Sequence, residues 1–281
     1  MDNISLKSLI KEHWEQEACG IRYGQEKSVR KVYFDEISAA RYALEPYIPS
    51  FADFSSARGK TVLEIGVGAG ADFQNWCGYA TLVTGIDLTE RAIALTGERL
   101  SLNSIPATKY SLRTADAENL PFTDNNFDLV YSWGVLHHSP DTLRAFQEAF
   151  RVLKPGGTLK AMIYHVPSWS GLMLYLQHAF IRGRFKATMK DVMFLHLESP
   201  GTKAYTTEEA EKFLSNIGFS EIKLTTKLAP GDLLTMKPSA KYQSPFFKFI
   251  WRVYPRWIVR LIGDRYGSNL MITAIKPVNN L

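Results

Sequence analysis

Two cysteines in 281 residues are too few for a disulfide framework. Cys19 and Cys77 also lie far apart, without the C-x-x-C spacing of a zinc site, so no metal is expected. There is no uninterrupted apolar run of the roughly 18 residues that a membrane-spanning helix needs. The opening stretch, MDNISLKSLIKEHWEQ, lacks the apolar centre of a secretory signal. Charge of one sign is scarce too: 33 basic against 28 acidic residues leave +5. That is a weak attraction to polyanions rather than the bias of a dedicated nucleic-acid binder. Repeats and low-complexity tracts are absent. These absences leave a globular cytoplasmic protein whose 46% hydrophobic residues can fill a core for one α/β domain with insertions or a small lid.

What is present is alternation. Residues 1–58 are helical in pattern and rich in aromatics, and are expected to form an N-terminal lid segment ahead of a main domain at 59–281. Strand patterns follow at 61–65, 82–86, 108–113, 127–132, 158–164, 221–228 and 270–276, and helical patterns at 72–79, 89–102, 141–153 and 206–217. Thr89 reads as an N-cap. Thr206-Thr-Glu-Glu209 reads as a capping box, and Lys154-Pro-Gly-Gly157 as a helix stop. Strands alternating with helices predict an α/β fold, a mostly parallel sheet covered on both faces. The pattern loosens at 166–205 and 229–268, which are expected to be substrate-side insertions.

The densest feature is Val62-Leu-Glu-Ile-Gly-Val-Gly-Ala-Gly70. A hydrophobic strand ends in glycines and a helix follows. Gly66, Gly68 and Gly70 let the backbone turn and approach a ligand without a Cβ in the way. A dinucleotide-binding loop reads G-x-G-x-x-G and aims a helix N-terminus at a pyrophosphate. Here the spacing is G-x-G-x-G, and Glu64 stands just before it. An acid opposes a pyrophosphate but suits a cationic amino-acid end such as that of methionine. Asp87 closes Gly85-Ile-Asp87, 21 positions after Gly66, where a carboxylate can accept both hydroxyls of a ribose; alone it would read as an N-cap. After the third strand, Asp116 can accept from the exocyclic amine of adenine and Ala117 can offer its backbone N–H. Leu88 and Leu120 can sandwich the ring. The bland alternative there is a polar surface loop.

Taken together, E-I-G-V-G-A-G, G-I-D-L, D-A-E-N-L-P-F, F-D-L-V-Y-S and R-V-L-K-P-G-G resemble the successive motifs of class I S-adenosylmethionine-dependent methyltransferases. The nearest likeness is to the small-molecule subgroup similar to ubiquinone/menaquinone-biosynthesis enzymes. It covers about residues 61–165 in detail. The resemblance implies S-adenosyl-L-methionine as cofactor and S-adenosyl-L-homocysteine as product. It implies Glu64, Gly66 and Gly68 near the methionyl end, Asp87 on the ribose, Asp116 with Ala117 at the adenine, and Ser132 and Trp133 shaping the pocket. It also implies a Rossmann-like seven-stranded sheet with an antiparallel last strand.

Methyl transfer from a sulfonium is an in-line displacement of an already activated donor, so alignment is the main task. A base is needed only for a nucleophile that carries a proton. His137 and His138, after the fourth strand, are placed for this, with His138 slightly preferred; the alternative is that both tie down a loop. Tyr164, His165 and, from the N-terminal segment, Tyr23 are further substrate-side residues, against plain packing roles. Residues 245–263, PFFKFIWRVYPRWIVRLIG, repeat a cation every four positions among apolar residues, with Pro255 dividing the run. Three readings stay open: a packed lid, with Trp257 buried; a helix on the inner face of a membrane, suited to a lipid or quinone precursor; and, least favoured, an RNA surface. A dinucleotide oxidoreductase is disfavoured by the glycine spacing, and a non-catalytic scaffold stays open. The accepting atom and the oligomeric state are not legible.

Overall fold

The strand patterns pair into one mixed sheet. The computed structural model describes residues 3–16, 20–25, 29–236 and 252–278. Three helices come first: α1 (Asn3–Gln16), α2 (Arg30–Leu44) and α3 (Ile48–Ala52). Then β1 (Thr61–Ile65), β2 (Leu82–Asp87), β3 (Tyr110–Thr114), β4 (Phe127–Trp133) and β5 (Leu153–His165) alternate with α4 (Ala71–Tyr79), α5 (Glu90–Leu102) and α6 (Thr142–Val152). The chain continues through α7 (Trp169–Tyr175), α8 (Met189–His196), β6 (Ala204–Tyr205), α9 (Thr207–Ile217), β7 (Ser220–Lys227), α10 (Arg256–Ile262) and β8 (Asn269–Ile275). The order across the sheet is β3-β2-β1-β4-β5-β8-β7. The two-residue β6 adds an eighth strand beside the end of β5. As expected, β8 is antiparallel, and it runs against both β5 and β7. Strand order reverses between β1 and β4, which opens a crevice beyond their carboxyl ends.

Alternate residues of β1 feed opposite layers, as the period of two requires. Leu63 and Ile65 join Val130, Phe146, Leu159 and Leu214 on one face. Val62 joins Phe73, Trp76, Leu129 and Tyr131 on the other. Packing crosses residue 58: Ile48, Ala52, Phe54 and Ala57 belong to the second cluster, and the Phe54 and Trp76 rings meet at 4.6 Å. Lys154-Pro-Gly-Gly157 does stop α6 at Val152, yet it belongs to β5. Gly156 N–H donates to the Lys276 carbonyl and Lys276 N–H to that of Gly157, so long-range pairing extends a strand that local signals mark as a break.

Both insertions leave the same rim. The first follows the carboxyl end of β5; the second follows that of β7, which is parallel to β5 because each is antiparallel to β8. Fully buried Asp232 ties them together. One of its oxygens accepts from Ser170 N–H and Oγ at 2.8 Å. The other accepts from Ala229 N–H, Ser268 N–H and Ser268 Oγ at 2.7–2.9 Å. The segment 245–251, with Lys248, lies outside the described residues, as does Cys19. Pro255 immediately precedes α10. Contrary to the packed-lid expectation, Trp257 is 68% exposed, because α10 buries only Val259.

Two tryptophans should therefore behave oppositely. Trp76→Ala should lower the unfolding free energy by about 3–5 kcal/mol, the usual cost of emptying a buried aromatic site. Trp257→Ala should change it by no more than about 0.5 kcal/mol. Urea unfolding midpoints at equal slope check both.

Candidate active site

The glycine loop is shaped by its own backbone. Gly66, Gly68 and Gly70 all have positive φ, at 84°, 54° and 76°. A Cβ on Gly66 would fall 2.2 Å from Val135, and one on Gly70 2.9 Å from Thr96 Oγ1. Thr96 donates to the Gly68 carbonyl at 3.1 Å. Arg99, almost fully buried, donates to the Ala69 carbonyl at 2.6 Å and reaches back to the Phe34 carbonyl at 2.9 Å. The loop is thereby fixed to α2 on one side and α5 on the other.

Three carboxylates crowd this end of the sheet. Asp72, in the first turn of α4, is the best satisfied. Arg41 grips it through Nε at 3.0 Å and Nη2 at 2.5 Å, and Tyr42 and Tyr131 donate at 2.9 and 2.8 Å. Burial would raise its pKa, but Arg41 and the two tyrosines hold it below the ordinary carboxylate range. Asp87 accepts from Thr89 N–H at 3.0 Å and Thr89 Oγ1 at 2.8 Å with one oxygen, and from Gly68 N–H at 3.2 Å with the other. Thr89 caps α5 as expected. Glu64 differs from both. It is buried, and its Oε2 has no hydrogen-bond partner among the described residues. Burial, and then the nearby charge of Asp72, hold its carboxyl well above the usual range.

At the other end of the crevice, α1 lies across the expected adenine position. Lys7 contacts Asp116 at 2.6 Å and Glu118 at 2.5 Å. Burial works against its charge, yet the two carboxylates hold the ammonium above its usual range. Asp116 also accepts from Glu118 N–H at 2.9 Å. Lys7, Leu88 and Glu118 line an open groove of about 430 Å³ along α1. Ala117 is half-buried beside the core and Leu120 lies within it. Glu15, near the end of α1, accepts from Glu90 N–H at 2.9 Å and Arg91 N–H at 3.3 Å, at the start of α5.

The histidines lie where β4 ends, and they are not equivalent. His137 is wholly buried, its ring tilted against those of His138 at 4.2 Å and Tyr164 at 4.3 Å, with neither ring nitrogen partnered among the described residues. Burial, and next His138, keep it far below the usual imidazole range, so it stays neutral. His138 meets Ser199 Oγ at 2.8 Å and Thr202 Oγ1 at 3.1 Å through Nδ1, and Glu198 at 3.5 Å through Nε2. Trp14 of α1 packs edge-on against it at 5.3 Å. Glu198 is 37% exposed. Against its burial penalty, hydrogen bonding to His138 and Tyr164 holds it below the ordinary carboxylate range, and Arg22 adds to the pull.

The structure thus brings Glu64, Asp87 and the glycines together, and His137, His138 and Tyr164 together. His165 stands apart: Nδ1–H donates to the Gly267 carbonyl at 2.9 Å, tying β5 to the approach to β8. Ser132 is fully buried and donates to the Ile65 carbonyl at 3.0 Å, and Trp133 packs against Tyr47 and Phe51. Tyr23 is half-buried in a single helical turn at Ile21–Tyr23, beside Arg22. Sequence reasoning missed Lys7, Arg41, Asp72 and Glu198. Only Asp72 carried a signal, as an acid in the first turn after the loop. No group of three or more potential metal ligands occurs among the described residues.

A family described as a methyltransferase domain matches residues 63–161. Phosphoethanolamine N-methyltransferase 2 of Caenorhabditis elegans is 37% identical over 118 residues, 42% of this chain and 26% of that protein. The 27-O-demethylrifamycin SV methyltransferase of Amycolatopsis mediterranei is 28% identical over 159 residues, 55% of this chain and 58% of the relative. The matched stretches therefore span from about a quarter to under three-fifths of these relatives' own length. Among solved structures, a Haemonchus contortus phosphoethanolamine N-methyltransferase 2, in complex with phosphomonomethylethanolamine and S-adenosylhomocysteine, superposes with a TM-score of 0.58. It is 18% identical and covers 95% of this chain and 60% of that one. The fold is the Rossmann-like methyltransferase fold.

Glu64 gives a test that needs no ligand. Its folded pKa lies above its unfolded one, so holding it ionised opposes folding. The penalty is absent below the ordinary carboxylate range, grows as pH rises, and levels off above the folded value. Glu64→Gln should raise the unfolding free energy by about 1–3 kcal/mol at the upper plateau, the size of an unsatisfied buried group. The gain should vanish toward acid pH. Urea titrations across that range check it; a pH-independent difference would show that Glu64 is not strained.

Proposed function

We propose that this chain, which carries a methyltransferase domain at residues 63–161, transfers a methyl group from S-adenosyl-L-methionine to a small-molecule acceptor and leaves S-adenosyl-L-homocysteine. The observation that carries this reading is the orphaned Glu64 Oε2 beside a glycine cradle. A buried carboxylate without a partner calls for a cation, and an amino-acid ammonium supplies one where a pyrophosphate would be repelled. The Haemonchus neighbour, solved with S-adenosylhomocysteine, supports the same cofactor.

Bound there, the cofactor would supply a methyl group already activated by its sulfonium. The chain's residues then bind and align. Glu64 neutralises the ammonium. Asp87 keeps free lone pairs beyond its bonds to Thr89 and Gly68, enough for ribose hydroxyls. Asp116 meets the adenine amine once Lys7 yields one of its two contacts, so the N-terminal segment acts as a lid, chiefly through α1. At the acceptor end, Thr202 donates to the Ser199 carbonyl at 2.7 Å, and the Ser199 hydroxyl faces His138 Nδ1. Either arrangement of the ring proton leaves Nδ1 occupied by protein. Proton traffic therefore runs through Nε2, where His138 acts as base and Glu198 steadies the charge that results; His137 positions the ring. Tyr164 and Tyr23 flank the acceptor. The chain would work in the cytoplasm. A second reading makes the acceptor a lipid or quinone precursor, met at the inner face of a membrane through residues 245–263; the exposure of Trp257 and Leu261 favours it.

Calorimetry with S-adenosyl-L-methionine tests the cofactor. Asp87→Ala should weaken binding by about 1.5–3 kcal/mol, the range for hydrogen bonds to charged groups. Gly68→Val should fold and not bind, since a β-branched residue is strained at that φ. Wild-type binding to NAD instead would overturn the assignment. A screen of metabolite extracts with methyl-labelled donor identifies the acceptor. With it, His138→Ala should lower turnover about 10²–10⁴-fold while cofactor affinity holds, and Glu198→Gln should displace the limb of the pH–rate profile that His138 sets. Unchanged rates in both variants would assign the cluster to packing.

A further inference from the structure

Charge is not spread evenly along this chain. Residues 169–190 hold four cations and residues 233–263 hold six, and neither stretch contains an Asp or Glu. The rest of the chain carries 23 cations against 28 carboxylates. The modest net charge thus hides a strongly basic region on an acidic body. These two stretches belong to the two insertions that share the rim above β5 and β7 and are joined at Asp232. Among the described residues, both stretches present large apolar side chains to solvent, Ile181 and Phe185 in one and Trp257 and Leu261 in the other.

The centre of this region is the turn at 180–186. Every residue of it is exposed, Ile181 at 77% and Phe185 at 67%. The turn is ordered: Gly183 N–H donates to the Phe180 carbonyl at 3.0 Å and Arg184 N–H to that of Ala179 at 2.9 Å. Phe180 and Phe185 meet edge-on at 5.7 Å. Arg182 and Arg184 stand between them and Lys186 follows, and none of the three pairs with a carboxylate among the described residues. Across the rim, α10 sets Trp257 and Leu261 one helical turn apart, with Leu261 79% exposed and Arg260 beside it. Arg256 donates to the Leu234 carbonyl at 3.0 Å and Tyr254 to that of Asp232 at 2.8 Å, so α10 is fastened to the same knot as the first insertion.

We propose that the 180–186 turn and α10 form one two-pronged surface that docks on an anionic phospholipid bilayer, with the apolar side chains inserted among the acyl chains and the cations at the headgroups. No helix among the described residues is long and apolar enough to cross a membrane, so the contact is peripheral. Charge complementarity selects the occupant. A second copy would set these cations against one another. A nucleic acid would satisfy the cations but leave Ile181 and Leu261 in water. A bilayer satisfies both, the combination by which interfacial elements bind. The surface lies on the rim that carries the active site, so an acceptor with an apolar tail could reach His138 without leaving the lipid. The docking itself does not depend on methyl transfer.

The full chain is sedimented with vesicles of phosphatidylcholine alone and of an equal mixture of phosphatidylcholine and phosphatidylglycerol. Binding is expected to the mixture alone, and to fall as salt shortens the Debye length from ~30 Å toward ~3 Å. Arg182→Gln/Arg184→Gln/Lys186→Gln should weaken it about a hundredfold, at roughly fivefold per cation. Ile181→Ser/Phe185→Ser should weaken it at least tenfold, and Trp257→Ser should add to either loss. Unfolding midpoints and S-adenosyl-L-methionine binding should stay at wild-type values in all three. Absence of binding to the anionic mixture at low salt overturns the proposal. So does binding that the serine variants leave intact, and so does preference for single-stranded RNA over vesicles in competition. Failure of wild-type cofactor binding alongside normal vesicle binding would instead sink the methyltransferase reading and leave the surface standing.

Discussion

The crevice is organised around a shortage of positive charge. Glu64, Asp72 and Asp87 converge where β1 and β2 end and α4 begins, and one arginine serves them. Arg41 is committed to Asp72 by two charge-assisted bonds, the strongest kind available to a buried pair. Asp87 is met by neutral donors. Glu64 is met by none at one oxygen. A protein confined to its own side chains gains nothing from a third carboxylate here, since burying an unpaired charge costs several kcal/mol. The arrangement makes sense when the missing cation is brought by a ligand, and the glycines leave the space through which it enters.

The same shortage explains why the N-terminal segment is inseparable from the site. Arg41 comes from α2, and Tyr42 and Phe34 beside it complete the surroundings of Asp72 and Arg99. Without α2, Asp72 would lose its counter-charge and the Ala69–Arg99–Phe34 link would open, leaving the glycine loop held from one side. α1 is a different case. It buries Leu6 and Ile10 and sets Trp14 against His138, and it adds polar contacts at two points, Lys7 on Asp116 and Glu118 and Glu15 on the start of α5. It therefore touches both the expected adenine position and the histidine turn, and α2 holds the glycine loop without it.

The parts legible in the sequence were those fixed by local rules. β1 and its glycines form one hydrophobic run with one break, so its limits fell on the residues expected. Thr89 and the Thr206 capping box satisfy N–H groups three residues away and are visible in any window of that width. The start of β5 was misplaced because its partners, Phe127 for Leu153 and Lys276 for Gly156 and Gly157, lie in no local window. Arg41 with Asp72, and His138 with Glu198 and Ser199, join residues that only the folded sheet brings together, and no spacing announces them. Trp257 was expected inside because a helix of such composition ordinarily buries its aromatic face; its exposure follows from a rim already filled by Val259 and the Asp232 knot.

The acceptor end shows the same division of labour from the opposite direction. The histidines stand on a turn fixed by β4, an element whose register the whole sheet enforces, but the hydrogen-bonding and charged groups at the His138 ring nitrogens come from the first insertion. Ser199 and Thr202 occupy Nδ1, Glu198 stands at Nε2, and Lys203 holds the turn through the Ser139 carbonyl at 2.7 Å. On the proposed reading, a change in that insertion would therefore alter proton transfer without moving a strand, and a change of acceptor would need no change in the cofactor end. Sheet and glycine loop fix where the methyl group would stand; the insertion, anchored through Asp232 to its neighbour, decides what is brought to it and from which side.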